Sequence, residues 1–138
     1  MSEVREIKLP SRIESIEEAA SKASEFANER SLGDDFVYAI DMAVRESVAN
    51  AVKHGNKLDE SKNVELRLED SNDEFKTTVR DFGPGFAVDE IPDCRNPENL
   101  LKCNGRGILF MRSFMDDVEW SNAAGGGMIV TMIKKKTP

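Results

Sequence analysis

Hydrophobic and polar positions alternate from the start of the chain. Arg5, Ile7 and Leu9 fall on one side, Val4, Glu6 and Lys8 on the other, and Pro10 ends the run. A period of two marks a strand, and proline cannot donate to a ladder, so a first strand is predicted to stop there. Ser11-Arg12-Ile13-Glu14 then has the spacing of a capping box, in which serine and glutamate satisfy helix-end amides reciprocally. Ile13, Ile16, Ala20, Ala23 and Ala27 recur at helical spacing, which predicts a first helix from about Arg12 to Arg30. Gly33 breaks it, and Asp34 or Asp35 is the candidate cap of the next. Val37, Ile40, Val44, Val48 and Ala51 form one stripe of a second helix, running to about His54 with Gly55 as its stop.

Beyond a polar loop at 57–62 the period returns to two. Val64, Leu66 and Leu68 alternate with Glu65, Arg67 and Glu69, and Phe75, Thr77 and Val79 with Lys76, Thr78 and Arg80. Ser71-Asn72-Asp73 supplies turn chemistry, so the pair reads as an antiparallel hairpin with one buried face. From Phe82 to Asn104 no pattern survives, and three prolines fall in the stretch. So long a loop in a compact domain is usually functional or mobile, and it reads as a lid. Gly105 to Met115 reads as a helix, Val118 to Asn122 as a strand, Gly125-Gly126-Gly127 as a turn and Met128 to Ile133 as a last strand. The order predicts an α+β two-layer sandwich: a mostly antiparallel sheet with helices on one face.

Composition narrows the classes. The chain has 138 residues, a net charge of −7, 39% hydrophobic residues and 33% charged ones. That is enough apolar residue for the core of one domain spanning 1–138, and disorder is excluded. The acidic balance argues against direct contact with nucleic acid, and no apolar run approaches a membrane span. No export signal is visible, so Cys94 and Cys103 are expected as reduced thiols in a cytoplasmic protein.

Three places carry candidate chemistry. Glu46 and Asn50 sit four apart, on the helix face opposite the apolar stripe. A solvated polar face explains them; a base and a magnesium ligand is the sharper reading. Asp81-Phe82-Gly83-Pro84-Gly85 ends a strand, either as a cap and turn or as a carboxylate facing a crevice. Asn104-Gly105-Arg106-Gly107 opens a helix, where free amides and the helix dipole suit phosphate, although an ordinary junction looks the same.

Taken in order, these motifs resemble the nucleotide site of the GHKL (histidine-kinase-like) ATPase superfamily. Glu46 to Gly55 looks like its N-box, Asp81 to Phe86 like its first glycine box and Gly105-Arg106-Gly107-Ile108 like its second. The closer resemblance, which includes Phe114-Met115-Asp116-Asp117-Val118, is to small anti-sigma factors that are also serine-protein kinases, the RsbW and SpoIIAB type. The resemblance implies the Bergerat fold, with an ATP lid at 83–104. It implies that Asn50 holds Mg²⁺, and that Glu46 is general base on a partner serine or on water. Asp81 would bind the adenine amino group, while Gly83 and Gly85 shape that pocket and the hinge of the lid. Gly105, Arg106 and Gly107 would face the ATP phosphates, and Arg95 and Lys102 are candidates to reach the γ-phosphate. Its partners would be a sigma factor and an anti-anti-sigma antagonist, the phosphorylation substrate, and family members commonly form homodimers. Where the family often has Gly-Thr entering the last strand, this sequence has Gly127-Met128. A non-catalytic ATP-gated binding module is the alternative. His54 is read as a favourable helix end, and the cysteines as lacking the clustered ligands of a zinc site.

Overall fold

The computed structural model describes residues 2–83, 114–123 and 125–136. β1 (Glu3–Pro10) leads into α1 (Glu14–Glu29) and α2 (Asp34–Asn50), which continues as a π-helical turn (Ala51–Gly55). Then come β2 (Asn63–Asp70), β3 (Glu74–Arg80), β4 (Asp117–Asn122) and β5 (Met128–Lys135). The sheet order is β1-β2-β3-β5-β4, and every pairing is antiparallel. The sheet and the two helices packed on it form the expected α+β arrangement. Most of the expected lid and of the helix predicted from Gly105 lies outside the described residues.

The two-residue period places the sheet's apolar side chains on one face. Leu66 pairs with Val79 and Leu68 with Thr77, while Thr77 and Val79 pair with Met132 and Val130. These side chains are buried against α1 and α2. Phe75 lies under the helices, with its ring centroid 5.9 Å from that of Phe26 and 6.1 Å from that of Phe36. The opposite face is polar, and there Arg67 pairs with Glu6 at 3.5 Å and with Glu69 at 3.1 Å. α1 buries Ala19, Ala20, Ala23 and Ala27, whose small side chains let it pack closely on α2.

Three local expectations change. Ser11 caps no helix: its hydroxyl donates to the Lys62 carbonyl at 2.6 Å, and no side chain caps α1. Ile13 is 51% exposed, so the buried stripe of α1 starts one turn later. Gly33, with φ of 94°, takes the N-cap of α2, which leaves Asp34 and Asp35 in the first turn, where their charge complements the helix dipole.

Two polar groups interrupt the core face. Asp70 is 3% exposed and meets Arg30 Nε at 2.7 Å and Lys136 Nζ at 2.6 Å. Burial alone would raise its pKa, but the hydrogen bonds and charges of Lys136 and Arg30 outweigh that and hold it below the usual carboxylate value. The triad ties the ends of β2, α1 and β5 together. Thr77 is fully buried, and its hydroxyl has no hydrogen-bond partner among the described residues. An unpaired buried hydroxyl is unfavourable, and valine matches its shape. Thr77→Val is therefore expected to raise the unfolding free energy by about 1 kcal/mol, read by urea denaturation; a loss of stability would contradict this account of the core.

Candidate functional site

The β3 ladder ends at Arg80, and the chain turns inward at Asp81, which is 7% exposed. The Asp81 amide donates to the Met128 carbonyl at 3.0 Å. Its Oδ1 accepts from the Gly83 amide at 3.0 Å and from the Met128 amide at 3.3 Å. Burial raises the Asp81 pKa; these amides and the charges of Lys62 and Arg80 offset it only in part. A raised pKa means that ionised Asp81 costs stability, a cost relieved as pH falls through that pKa.

Three glycines make room for this carboxylate. A Cβ on Gly55 would stand 2.3 Å from Asp81 Oδ2, one on Gly127 would stand 2.0 Å from the Asp81 carbonyl oxygen, and one on Gly83 would stand 1.8 Å from the Gly55 carbonyl oxygen. The end of the helix, the strand-end turn and the entry to β5 thus meet backbone to backbone. Gly55 was expected as a helix stop, a place where glycine commonly takes a positive φ. Its φ is not positive, and what the position requires is the missing side chain.

The helix reaches this junction through an irregular end. After Asn50 the hydrogen bonding widens, and the Asn56 amide bonds the Ala51 carbonyl at 2.8 Å. Lys57 and Leu58 follow with φ of 53° and 61°, left-handed values that are uncommon for such residues. Single π-helical turns recur at functional sites. Glu46 and Asn50 lie on the part of α2 that leads into this turn and are half-buried, beside fully packed Val44 and Val48.

Of the predicted site residues, then, Glu46 and Asn50 share one helix, and Asp81 and Gly83 lie where that helix ends. Gly85, Gly105, Arg106, Gly107, Arg95, Lys102 and both cysteines lie outside the described residues. His54 is exposed at the end of the π-helical turn. Met128, at the entry to β5, is buried, and its thioether donates no hydrogen bond, so only its backbone serves Asp81. Among the described residues no group of three or more His, Cys, Asp or Glu is placed to hold a metal ion. The amide oxygen of Asn50 suits a hard cation that takes its other ligands from substrate phosphates. Asn56 was missed: it is a buried polar residue between the predicted helix stop and the polar loop at 57–62, and no periodicity marks it.

The histidine kinase-like ATPase domain family matches residues 9–134. An anti-sigma F factor of Clostridium perfringens is 35% identical over 100 residues, covering 70% of each chain. The serine-protein kinase RsbW of Bacillus subtilis is 26% identical over 132 residues, covering 91% of this chain and 82% of that one. Among solved structures, the catalytic domain of the histidine kinase ThkA superposes with a TM-score of 0.62 at 16% identity, over 99% of both chains. The RsbU and RsbW domains of a Mycobacterium tuberculosis protein give 0.63 at 14%, over 96% of this chain and 31% of that longer one. The chain belongs to the histidine kinase-like ATPase domain family, and its relatives there include anti-sigma F factors and RsbW serine-protein kinases.

The junction can be tested by bulk alone. Gly83→Ala must displace a carbonyl oxygen, whereas at Gly126 an added Cβ meets no neighbour within 4 Å. Gly83→Ala is expected to cost about 2–3 kcal/mol, and Gly126→Ala, where only the positive φ is strained, about 1 kcal/mol, by denaturant titration. Equal costs would contradict the backbone contact.

Proposed function

We propose that this protein is an ATP-dependent anti-sigma factor that phosphorylates a serine of an anti-anti-sigma antagonist. The observation that carries the reading is Asp81: a buried carboxylate oriented by two backbone amides at the end of the helix that bears Glu46 and Asn50. The kinship with anti-sigma F factors and RsbW supports it.

In this reading Asp81 accepts a hydrogen bond from the exocyclic amine of adenine, best when ionised, since both its oxygens then only accept. Asn50 holds Mg²⁺, which neutralises phosphate charge when bound. Gly105, Arg106 and Gly107 face the phosphates, and Gly85 with Gly83 forms the hinge of a lid at 83–104. Glu46 takes the proton of the antagonist's serine hydroxyl. The serine oxygen bonds to the γ-phosphorus as the bond to the β-phosphate oxygen breaks, and ADP leaves. The new phosphate adds about −1.5 to −2 charge to the antagonist, which favours its release from a chain of net charge −7. The same chain then sequesters the sigma factor or modifies its antagonist, in the cytoplasm and without touching DNA. Met128 favours a second reading, a non-catalytic ATP-gated binding module, because the family's threonine contact is missing.

Phosphotransfer separates the two. With Mg·ATP and a cognate antagonist, wild type should label a serine. Glu46→Gln should lose at least about a hundredfold in rate, within the range a general base supplies, while ATP affinity is kept. ATP binding by wild type without transfer would favour the second reading.

Asp81 gives an independent check. Asn keeps an oxygen for the Gly83 and Met128 amides but presents a donor where the adenine amine donates. Asp81→Asn should therefore retain the wild-type melting temperature and weaken ATP binding by about tenfold or more, read by calorimetry. Wild-type affinity should also fall as pH drops through the raised Asp81 pKa, because the protonated carboxyl presents a donor as well. Unchanged affinity in Asp81→Asn would remove Asp81 from the site.

A further inference from the structure

One buried side chain joins three separate parts of the fold at the candidate site, immediately after the motif that ends at Gly55. Asn56 is 2% exposed and closes the π-helical turn. Its Nδ2 donates to Ser11 Oγ at 2.6 Å and to the Asn63 carbonyl at 3.1 Å. Its Oδ1 accepts from the Phe82 amide at 2.8 Å. Ser11 Oγ in turn donates to the Lys62 carbonyl. A backbone carbonyl can only accept and a backbone amide can only donate, so the orientation of the Asn56 amide is fixed: reversed, it would oppose like groups on both sides. No isosteric apolar residue satisfies these partners, and leaving them unpaired in a buried place is costly.

The Phe82 amide belongs to the peptide that joins Asp81 to Phe82. The β3–β5 pairing ends at Arg80 and Ile129, and the last backbone bond to β5 runs from the Asp81 amide to the Met128 carbonyl, so β5 does not hold the Phe82 amide. Asn56 takes over from the sheet. From one side the Gly83 and Met128 amides fix Oδ1 of Asp81; from the other, Asn56 fixes the backbone on which that carboxylate rides. The direction in which Asp81 presents its oxygens therefore depends on both.

We infer that Asn56 is a positioning residue for the nucleotide: by holding the Phe82 amide it sets the Asp81 carboxylate for the base, and so contributes to adenine selectivity. This rests on the proposed ATP site. A purely structural Asn56 would make the same three bonds, but its loss would lower stability without altering how the folded protein binds.

The test measures binding of Mg·ATP and Mg·GTP to the full chain by calorimetry, well below the melting temperature of each variant. Asn56→Ala should weaken ATP binding by about tenfold or more and narrow the ATP-over-GTP preference. Ser11→Ala removes one acceptor of the network and leaves the Phe82 bond. It should lower the melting temperature while keeping ATP affinity within about threefold of wild type. If Asn56→Ala does not fold, Asn56→Asp is read instead. It keeps an acceptor for the Phe82 amide, so it should lose stability and retain affinity within the same margin. Wild-type affinity and preference in Asn56→Ala would overturn the inference, as would an equal loss in Ser11→Ala or a tenfold loss in Asn56→Asp. Wild type that binds neither nucleotide would instead overturn the ATP site itself, and this inference with it.

Discussion

The contact on which the site depends is one that side chains would forbid. Gly55, Gly83 and Gly127 bring the end of the long helix, the end of a central strand and the start of the last strand together around Asp81. Each approach is closer than a Cβ allows, and at Gly83 and Gly127 the clash would be with backbone, which cannot turn aside as a flexible side chain can. Because the helix carries Glu46 and Asn50 and the strand carries Asp81, this junction relates the two halves of the candidate nucleotide site.

The rest of the fold supports that meeting. Alanines on α1 let the two helices pack closely over one face of the sheet, and Phe75 fills the space beneath them. At one end of the sheet the Asp70, Arg30 and Lys136 triad fastens β2, α1 and β5. At the other, Asn56 and Ser11 join the start of α1, the start of β2 and the turn after β3. Charge is handled differently at the two ends. Asp70 has cationic partners in direct contact that hold its pKa down, whereas Asp81 is bonded by neutral amides and its pKa is raised by burial. A buried carboxylate with no direct cationic partner among the described residues suits recognition of a ligand donor better than it suits stability.

Much of this was legible one element at a time. The alternation at Val64–Leu68 and Phe75–Val79 marked a hairpin with one buried face, and the stripe from Ile40 to Val48 marked α2, because burial on one face imposes a fixed period. The Asp81-x-Gly-x-Gly and Glu46-x-x-x-Asn50 spacings were visible for the same local reason. The capping box at Ser11 was misread, since that hydroxyl is claimed by the Lys62 carbonyl and by Asn56, partners that sequence spacing cannot supply.

The sequence by itself determined the order of strands and helices over most of the described residues, the polar face of α2 and the acidic character of the chain. These follow from periods and composition. Only the tertiary structure decided why Gly55 is glycine, why Asn56 is buried and which amides hold Asp81. Each of those depends on groups far apart in sequence that reach one point in space, and a chain read in order carries no measure of that distance.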